Sequence, residues 1–561
     1  MSVAEPVVTP VHAFAERAWE QFLELNPLWA TMQGDDRWDD RLDDPGPDGR
    51  ATMLALVDAW QAEMEGFAGL ELSVEDTVTL GLVGFASERF KQADALRLWE
   101  MEAIDQYGGP QGLIGDLARM QRTDTPARLD KLLARLAAYP EWMAAQRANV
   151  AEGVAAGRTA AAPVVERCLA QTRRLVETPA EQSPIVLADA ELDDEGRAAL
   201  IEAVERYVRP AHAAWLAMLE DYQEHVRAGD GICHLADGDA LYRHHILSWT
   251  TIPGEPRAIH DYGLARLEEI DAQERVIAAE LGFEDVAALR AHLEVAPENH
   301  VTDPAELVTL AEELIARAEA QAPDWFGRLP RDTCEVRAVE AHMEQEAPPA
   351  FYMTPAADGS RKGLYFINTY DPASRHLHRL AATTFHEAVP GHHFQLAIEQ
   401  ELSGLPAFRR FGARIAAGSF VEGWALYTEQ LAAEMGLYHT LLERFGALET
   451  EAWRAARLVV DTGIHAFGWT RQQSIDTLIE RAGLSRLEAE TETDRYISWP
   501  GQALSYMTGQ REILALRAQL EARDGDRFDH QAFHDEVIGH GSLPLTVLRE
   551  QLPGWVGPKA G

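Results

Sequence analysis

The sequence predicts a mostly α-helical protein with a small β-sheet beside a metal-binding helix. Apolar side chains recur at helical spacing between charged positions through most of the 561 residues. Short runs of aromatic and β-branched residues, which are typical of strands, are confined to residues 333–368. His386 and Glu387 follow this segment, so the candidate chemistry lies next to the predicted sheet.

The predicted helices come from periodicity and from capping signals. Residues 258–282 place isoleucine and leucine on one stripe between charged positions. Asp303 followed by Pro304 is typical of an N-cap with proline at the first helical position. Long helices are therefore expected to be the main building material.

The domain organisation follows from length and from the absence of long linkers. A chain of 561 residues, 46% of them hydrophobic, is long enough for several core-sized units, and its Pro- and Gly-rich breaks are short. We expect one unit over 1–561 that can be divided into two lobes. Residues 1–330 would form a mainly helical lobe. Residues 331–561 would form a catalytic lobe with the sheet, the metal-site helices and the C-terminal helices.

The strand-like runs lie at 333–339, 350–353 and 363–368 and predict a sheet of two or three strands. A strand at a sheet edge can bind an extended peptide through main-chain hydrogen bonds. On that interpretation Tyr365 and Asn368 are candidate substrate-binding residues. A β-ribbon that only packs against the helices explains the same runs equally well.

Composition argues against several classes of partner. The chain carries 91 acidic and 50 basic residues, a net charge of -41 at pH 7, which repels phosphate backbones and anionic lipids. Neither nucleic acid nor a membrane is therefore an expected partner. Glu5, Glu16 and Arg17 interrupt the apolar residues at the start, so a secretory signal is not expected and the cytoplasm is the predicted location. The three cysteines are far apart and are expected to be reduced thiols.

The strongest functional signal is His-Glu-Ala-Val-Pro-Gly-His-His at 386–393, followed in the next predicted helix by Glu422. Catalytic zinc in hydrolases takes two histidines and a carboxylate and keeps one position open for water. A glutamate beside the first histidine serves as the general base. His386, His392 and Glu422 are the candidate ligands of one zinc ion, and Glu387 is the candidate base.

The second histidine ligand is either His392 or His393, because Pro390 stands where the usual His-Glu-x-x-His spacing would place it. An unbroken helix favours His393, which lies about 340° around the helix from His386, against about 240° for His392. Pro390 removes a backbone donor and Gly391 adds freedom, so a kink or a bulge is expected that would bring His392 into the usual position. We favour His392 and keep His393 as the alternate.

Each part of this motif also has an ordinary structural explanation. A His-Glu pair arises easily by chance in a chain with 20 His and 91 acidic residues. Ser419 and Glu422 fit a capping box, in which the glutamate only caps the start of a helix. The match of all parts in the right order on two adjacent predicted helices favours a metal centre.

Two later segments carry polar side chains of catalytic type. Gln502 and Tyr506 are four residues apart, so a helix would direct both to the same side. The hydroxyl of Tyr506 could stabilise a developing oxyanion, His465 could donate a further hydrogen bond, and Gln502 is a candidate substrate-binding residue. A core tyrosine with its hydroxyl satisfied and a histidine that orients a loop are the structural alternatives.

Several motifs together resemble the bacterial domain-of-unknown-function family 885. They are His-Glu-Ala-Val-Pro-Gly-His-His-Phe-Gln at 386–395, Glu-Gly-Trp-Ala-Leu-Tyr-Thr-Glu at 422–429, Asp-Thr-Gly-Ile-His at 461–465, Pro-Gly-Gln-Ala-Leu-Ser-Tyr at 500–506 and Gly-Ser-Leu-Pro-Leu at 541–545. Asn-Pro-Leu-Trp-Ala-Thr at 26–31 is also similar to the opening segment of that family. The resemblance therefore covers nearly the whole chain.

That family is in turn distantly similar to the zinc peptidase group of thimet oligopeptidase, carboxypeptidase Taq and angiotensin-converting enzyme. The resemblance implies a large multi-helix gluzincin architecture with a deep channel, whose wall the helical lobe at 1–330 would form. It implies that His386, His392 and Glu422 bind the zinc ion. Glu387 then matches the general base of the group, and Tyr506 matches the tyrosine that stabilises the tetrahedral intermediate.

The sequence therefore predicts a zinc-dependent metallopeptidase that hydrolyses short or unfolded peptides, as an oligopeptidase or a carboxypeptidase. One alternative is a zinc amidohydrolase acting on non-peptide amides, which would use the same centre. The other is a non-catalytic peptide-binding scaffold. The candidates for holding a peptide carboxylate are Arg454, Arg457, Arg471 and Arg495.

Overall fold

Helices form most of the structure, as the sequence predicts. The computed structural model describes residues 8–189, 192–339, 348–355, 362–402, 404–557 and 559. The helices that precede the sheet are α1 (Pro10–Leu25), α2 (Pro27–Met32), α3 (Pro47–Glu65), α4 (Val74–Ala95), α5 (Leu113–Met120), α6 (Pro126–Ala155), α7 (Ala162–Glu177), α8 (Pro184–Leu187), α9 (Asp194–Ala203), α10 (Arg209–Tyr222), α11 (Gly238–Thr250), α12 (Pro256–Glu280), α13 (Val286–Leu293) and α14 (Pro304–Trp325). Those that follow it are α15 (Leu377–Glu387), α16 (His392–Gln400), α17 (Ala407–Phe411), α18 (Gly418–Glu434), α19 (Leu441–Phe467), α20 (Arg471–Ala482), α21 (Arg486–Ser498), α22 (Ser505–Asp524), α23 (His530–Gly539) and α24 (Leu545–Trp555).

α12 and α14 form where periodicity and capping predict them. The carboxylate of Asp303 caps α14 by accepting a hydrogen bond of 3.0 Å from the backbone N–H of Ala305. Most of the predicted apolar stripe on α12 is buried, whereas Leu264 is 38% exposed. The buried face of α12 packs along α19.

The predicted strands also form, and they make one three-stranded sheet. β1 (Cys334–Ala338), β2 (Ala350–Met353) and β3 (Gly363–Ile367) agree closely with the predicted runs. β3 lies in the middle, parallel to β1 and antiparallel to β2, and is buried along its whole length. Since β3 packs against α16, the sheet lies beside the helix that begins at His392.

The hydrophobic cores cross residue 330, where the two predicted lobes would meet. One core combines buried residues from the segments 98–293 and 426–507. A second joins α14, the sheet, α15, α16 and α18 to the C-terminal helices. A third packs α1, α3 and α4 against α17. Apolar burial is therefore continuous between the N-terminal helices and the helices that carry the candidate site.

Neither a membrane-spanning helix nor a disulfide contributes to the part of the chain that the structure describes. No helix there combines the length and the apolar character that crossing a bilayer requires. The free thiols are Cys168, which is buried, and Cys233 and Cys334, which are partly buried.

α18 and α22 touch backbone to backbone at two glycines. A Cβ on Gly423 would lie 2.4 Å from the Cα of Gly509, and a Cβ on Gly509 would lie 2.0 Å from the carbonyl oxygen of Ser419. Both distances are well inside van der Waals contact, so only glycine allows this approach. The contact fixes Glu422 on α18 relative to Tyr506 at the start of α22.

We expect Gly423→Ala to lower the free energy of unfolding by about 2 kcal/mol, because the added methyl group overpacks this contact. Gly418→Ala on the same helix is the matched control, since a Cβ there meets nothing within 4 Å. Urea unfolding followed by circular dichroism measures both variants. Equal stability of the two variants would contradict the close approach.

Candidate metal centre

A break in the chain separates the helices that carry the two predicted histidine ligands. α15 ends at Glu387, residues 388–391 are not helical, and α16 begins at His392. The sequence predicts a kink or a bulge here, and the structure has a complete interruption. Its physical cause is Pro390, which has no backbone N–H to continue α15 and follows a residue that has already left the helical conformation.

Two contacts hold this break in place. A Cβ on Gly391 would lie 1.9 Å from the carbonyl oxygen of His386, so the chain turns back tightly over the end of α15. The indole N–H of Trp424 donates a hydrogen bond of 3.0 Å to the carbonyl oxygen of Pro390, which attaches the break to α18. As a result His392 follows the turn directly and lies beside His386.

His386, His392 and Glu422 converge on one point. Their ligand atoms all lie within 4.8 Å of one another. Glu422 Oε2 is 3.7 Å from His386 Nε2 and 3.5 Å from His392 Nε2. The two imidazole rings are 4.8 Å apart and nearly perpendicular, at 86°. Within the described residues this is the one group of His, Cys, Asp and Glu side chains with metal-binding spacing.

The donor atoms fit a divalent metal ion. Glu422 Oε2 is buried without a hydrogen-bond partner, although it belongs to a charged group, and His392 Nδ1 also has none. Two imidazoles and one carboxylate match the donor set of catalytic zinc, which leaves one coordination position open. The two histidines are buried, and 25% of the Glu422 side chain is accessible to water.

Glu429 orients His386 from behind. Its carboxylate accepts a hydrogen bond of 2.8 Å from His386 Nδ1, which leaves Nε2 facing Glu422. The hydroxyl of Thr450 donates to the other carboxylate oxygen at 2.7 Å, and Arg454 lies 3.7 Å away. Sequence reasoning gave Glu429 no role. The feature that could have indicated a role is its spacing of seven residues from Glu422, because this spacing places both glutamates on nearly the same helix face.

The charges of His386, Glu422 and Glu429 shift one another's pKa. Burial disfavours charge on His386, but the adjacent carboxylates of Glu422 and Glu429 outweigh burial and raise its pKa to about 9. Burial likewise works against the charge on Glu422, but the two histidines hold its pKa far below the usual range. The metal-free cluster therefore binds a proton at neutral pH on the nitrogen that a metal ion would occupy.

Glu387 and Tyr506 both lie near the cluster. Glu387 is half-buried as the last residue of α15, and its charge acts on His386. Tyr506 is half-buried at the start of α22, where burial and the charge of Glu422 raise the pKa of its hydroxyl. Glu387 therefore directly follows the first predicted ligand, and Tyr506 lies at the end of α22 that is hydrogen-bonded to α18 through Ser419 and Ser505.

The alternate ligand His393 lies elsewhere. Its Nδ1 is 3.0 Å from the hydroxyl of Tyr352, and its Nε2 is 3.0 Å from the carbonyl oxygen of Asp332. Burial lowers the pKa of His393 to about 4, so the ring is neutral and joins α16 to the sheet. Of the two candidates, His392 is the one that the structure brings to His386.

The capping explanation of Glu422 does not fit the structure. α18 already begins at Gly418, and no side chain caps its start. The hydroxyl of Ser419 donates to the carbonyl oxygen of Ser505 at 3.1 Å instead. Glu422 therefore lies inside the helix and faces the two histidines.

His465 does not reach the cluster as a catalytic donor, and this prediction is corrected. Its Nδ1 accepts from the backbone N–H of Ile232 at 3.3 Å, and its Nε2 donates to the carbonyl oxygen of Tyr496 at 2.9 Å. Burial lowers the pKa of His465 to about 3, which keeps the ring neutral. Nearby, Asp461 accepts hydrogen bonds of 3.1 Å from the backbone N–H of Gly501. The motif at 461–465 therefore stabilises the loop that precedes α22.

Tyr365 and Asn368 do not line a substrate site, contrary to the sequence prediction. Tyr365 is fully buried on the central strand, and its hydroxyl is 3.3 Å from that of Thr384. Asn368 is 1% exposed, and its amide donates to the carbonyl oxygen of Pro348 and accepts from the N–H of Tyr370. Both side chains stabilise the sheet region. Gln502, the third predicted contact, is half-buried close to Arg495.

Comparison with known proteins identifies a family and two similar structures. The family model described as "Bacterial protein of unknown function (DUF885)" matches residues 27–552. A crystal structure described as a "putative lipoprotein" from Colwellia psychrerythraea is 25% identical, with a TM-score of 0.88 over 97% of this chain and 98% of that chain. A structure from Shewanella oneidensis, with the same description and "of unknown function", is 21% identical, with a TM-score of 0.79 over 97% and 100% of the two chains. No curated protein matches the chain.

We expect one zinc ion to bind per chain, and His392→Ala or Glu422→Ala to reduce bound zinc nearly to zero, because each removes one of three ligands. His393→Gln is the matched control, since its ring faces Tyr352 and Asp332 instead. Mass spectrometry of metal content after dialysis measures all variants. Zinc retained by His392→Ala and lost from His393→Gln would reverse the ligand assignment.

We also expect zinc binding at pH 7 to release about one proton, because the raised pKa of His386 keeps it protonated in the metal-free protein. The apparent zinc affinity should rise with pH and level off above about pH 9. Calorimetry in two buffers with different ionisation enthalpies counts the protons. An affinity that did not change below about pH 9 would show that no proton competes at this site.

Proposed function

We propose that this chain, which belongs to the bacterial family of unknown function DUF885, is a zinc-dependent metallopeptidase. Its substrates would be oligopeptides. The observation that carries the proposal is the convergence of His386, His392 and Glu422, with Glu387 directly after the first ligand. The second support is Glu429, which fixes His386 as metal-binding carboxylate–histidine pairs do. A buried histidine pair without a metal would not need an unpartnered carboxylate oxygen between its rings.

His386 Nε2, His392 Nε2 and Glu422 Oε2 would hold the ion. When bound, zinc supplies Lewis acidity and makes water a nucleophile at neutral pH. The other steps belong to the chain itself. The carboxylate of Glu387 accepts the proton of the attacking water and passes it to the leaving amine.

Tyr506 is assigned to the developing oxyanion. Its hydroxyl is available as a donor at neutral pH because burial and the charge of Glu422 hold its pKa above the ordinary value. The hydroxyl of Ser419 on α18 donates to the carbonyl oxygen of Ser505 at 3.1 Å, so the start of α22 lies against the helix of Glu422. This contact supports the assignment of Tyr506 to the oxyanion. The glycine contact between α18 and α22 keeps that position fixed.

Access to the centre favours short or unfolded peptides as substrates. Of the three ligands, Glu422 keeps 25% of its side chain accessible to water, whereas His386 and His392 are buried, so solvent reaches the centre mainly at Glu422. Such restricted access suits an extended chain better than the surface of a folded protein. The predominantly helical fold with a small sheet is compatible with the gluzincin plan of the thimet oligopeptidase group, which we retain as part of the proposal.

We expect Glu387→Gln to lower kcat on a peptide library by roughly 10²- to 10⁴-fold, because the amide cannot accept the proton. Zinc content should stay near that of the parent protein, since Glu387 is not a ligand. Glu480→Gln, at an exposed glutamate on α20, is the control and should keep full activity. Cleavage by Glu387→Gln at the parental rate would remove Glu387 from the mechanism.

A further inference from the structure

The predicted carboxylate-binding arginines fall into two groups. Arg471 donates to Asp494 at 2.5 Å and shares that carboxylate with Arg167, whose side chain is 50% exposed to solvent. Arg454 lies 3.7 Å from Glu429, which already orients His386. Arg457 and Arg495 instead share one carboxylate, that of Glu492, at 3.0 Å and 2.7 Å. The second group therefore carries an excess positive charge inside a chain whose net charge is -41.

Arg457 pairs with Glu492 but leaves one of its donors unused. It is 4% exposed, and its Nη1 has no hydrogen-bond partner. Its Nε donates to the hydroxyl of Tyr496 at 3.0 Å, and its guanidinium carbon lies 4.3 Å from the ring centre of Tyr506. A buried cation with an unused donor is costly unless a further anion approaches it.

Gln502 completes a donor surface next to these arginines. Arg495 Nη1 donates to Gln502 Oε1, which fixes the amide with its nitrogen turned away from the guanidinium. Gln502 is half-buried and 13% of the Arg495 side chain is accessible, so both can meet a ligand. Arg457 is more deeply buried than Arg495 and Gln502, and its positive charge would attract a negatively charged ligand bound to them.

The arginines adjoin the metal ligands through Tyr506. Arg457 lies over the ring of Tyr506, and the residue before Tyr506, Ser505, accepts a hydrogen bond of 3.1 Å from the hydroxyl of Ser419 on α18. The donor surface therefore adjoins the end of α22 that packs on the helix of Glu422. A peptide bond at the metal centre would place a nearby carboxylate of the same peptide within reach of Arg495.

We propose that Arg495 and Gln502, backed by Arg457, form a subsite for a carboxylate of the substrate, and that this carboxylate is the free C-terminus of the peptide. The inference rests on the proposed peptidase function, since it names the substrate class of that centre. A carboxylate matches the site because its single negative charge balances the single excess positive charge. Its planar pair of oxygens can also accept from an amide and a guanidinium together.

The test compares the binding of three peptides of the same length to the zinc-loaded Glu387→Gln protein by calorimetry. One peptide has a free C-terminus, one is C-terminally amidated, and one is amidated with glutamate as its last residue. We expect the free acid to bind roughly ten- to a hundredfold more tightly than the neutral amide, because a hydrogen-bonded charge is lost in the amide.

The same comparison is made with Gln502→Glu added, since this variant keeps an acceptor for Arg495 but repels a carboxylate. It should abolish the preference for the free acid. Arg486→Gln is the matched control, because Arg486 lies on the same helix as Arg495, is 59% exposed and pairs with Glu490. Its preference should equal that of the Glu387→Gln parent.

The outcomes separate the subsite from the peptidase. Preference for the free acid alone supports the C-terminal assignment, and equal preference for the glutamate amide moves the same subsite to a side-chain carboxylate. Equal binding of all three peptides, or an unchanged preference in Gln502→Glu, overturns the subsite. If the parent protein hydrolyses none of the peptides while the binding preference holds, the peptidase function fails and the subsite stands.

Discussion

The interruption between α15 and α16 is the constraint on which the metal centre depends. In an unbroken helix the ring of His392 would point about 240° away from that of His386. The turn at residues 388–391 removes this limit, and it is possible only because position 391 has no Cβ to collide with the carbonyl of His386. The indole of Trp424 then attaches the turn to the helix that carries Glu422.

α19 links the two halves of the candidate site. Thr450 and Arg454 support Glu429, which orients His386, while Arg457 lies against the ring of Tyr506 one turn further along. Asp461, later on the same helix, holds the backbone of the loop that presents Gln502. One buried helix therefore sets the position of a metal ligand, the proposed oxyanion donor and the proposed carboxylate subsite. Its packing on α12 joins this framework to the N-terminal helices.

The helices, the strands and the pair His386 and Glu422 could be predicted because local periodicity and motif spacing carry that information. The choice of His392 over His393 could only be favoured, since it depends on how the chain turns after Pro390. It also depends on the hydrogen bonds of His393 with the hydroxyl of Tyr352 and the carbonyl oxygen of Asp332. His465, Tyr365 and Asn368 have polar groups of suitable chemistry, but tertiary contacts occupy them. The cytoplasmic location stays a prediction.

The glycine contact between α18 and α22 has a mechanical consequence. With the two backbones touching at Gly423 and Gly509, no side chain lies between them to rearrange. α18 and α22 are expected to move together as one rigid body. Glu422 and Tyr506 would then keep their separation while neighbouring helices move. Entry of a polypeptide would then deform the surrounding helices and leave the spacing of the reactive groups untouched.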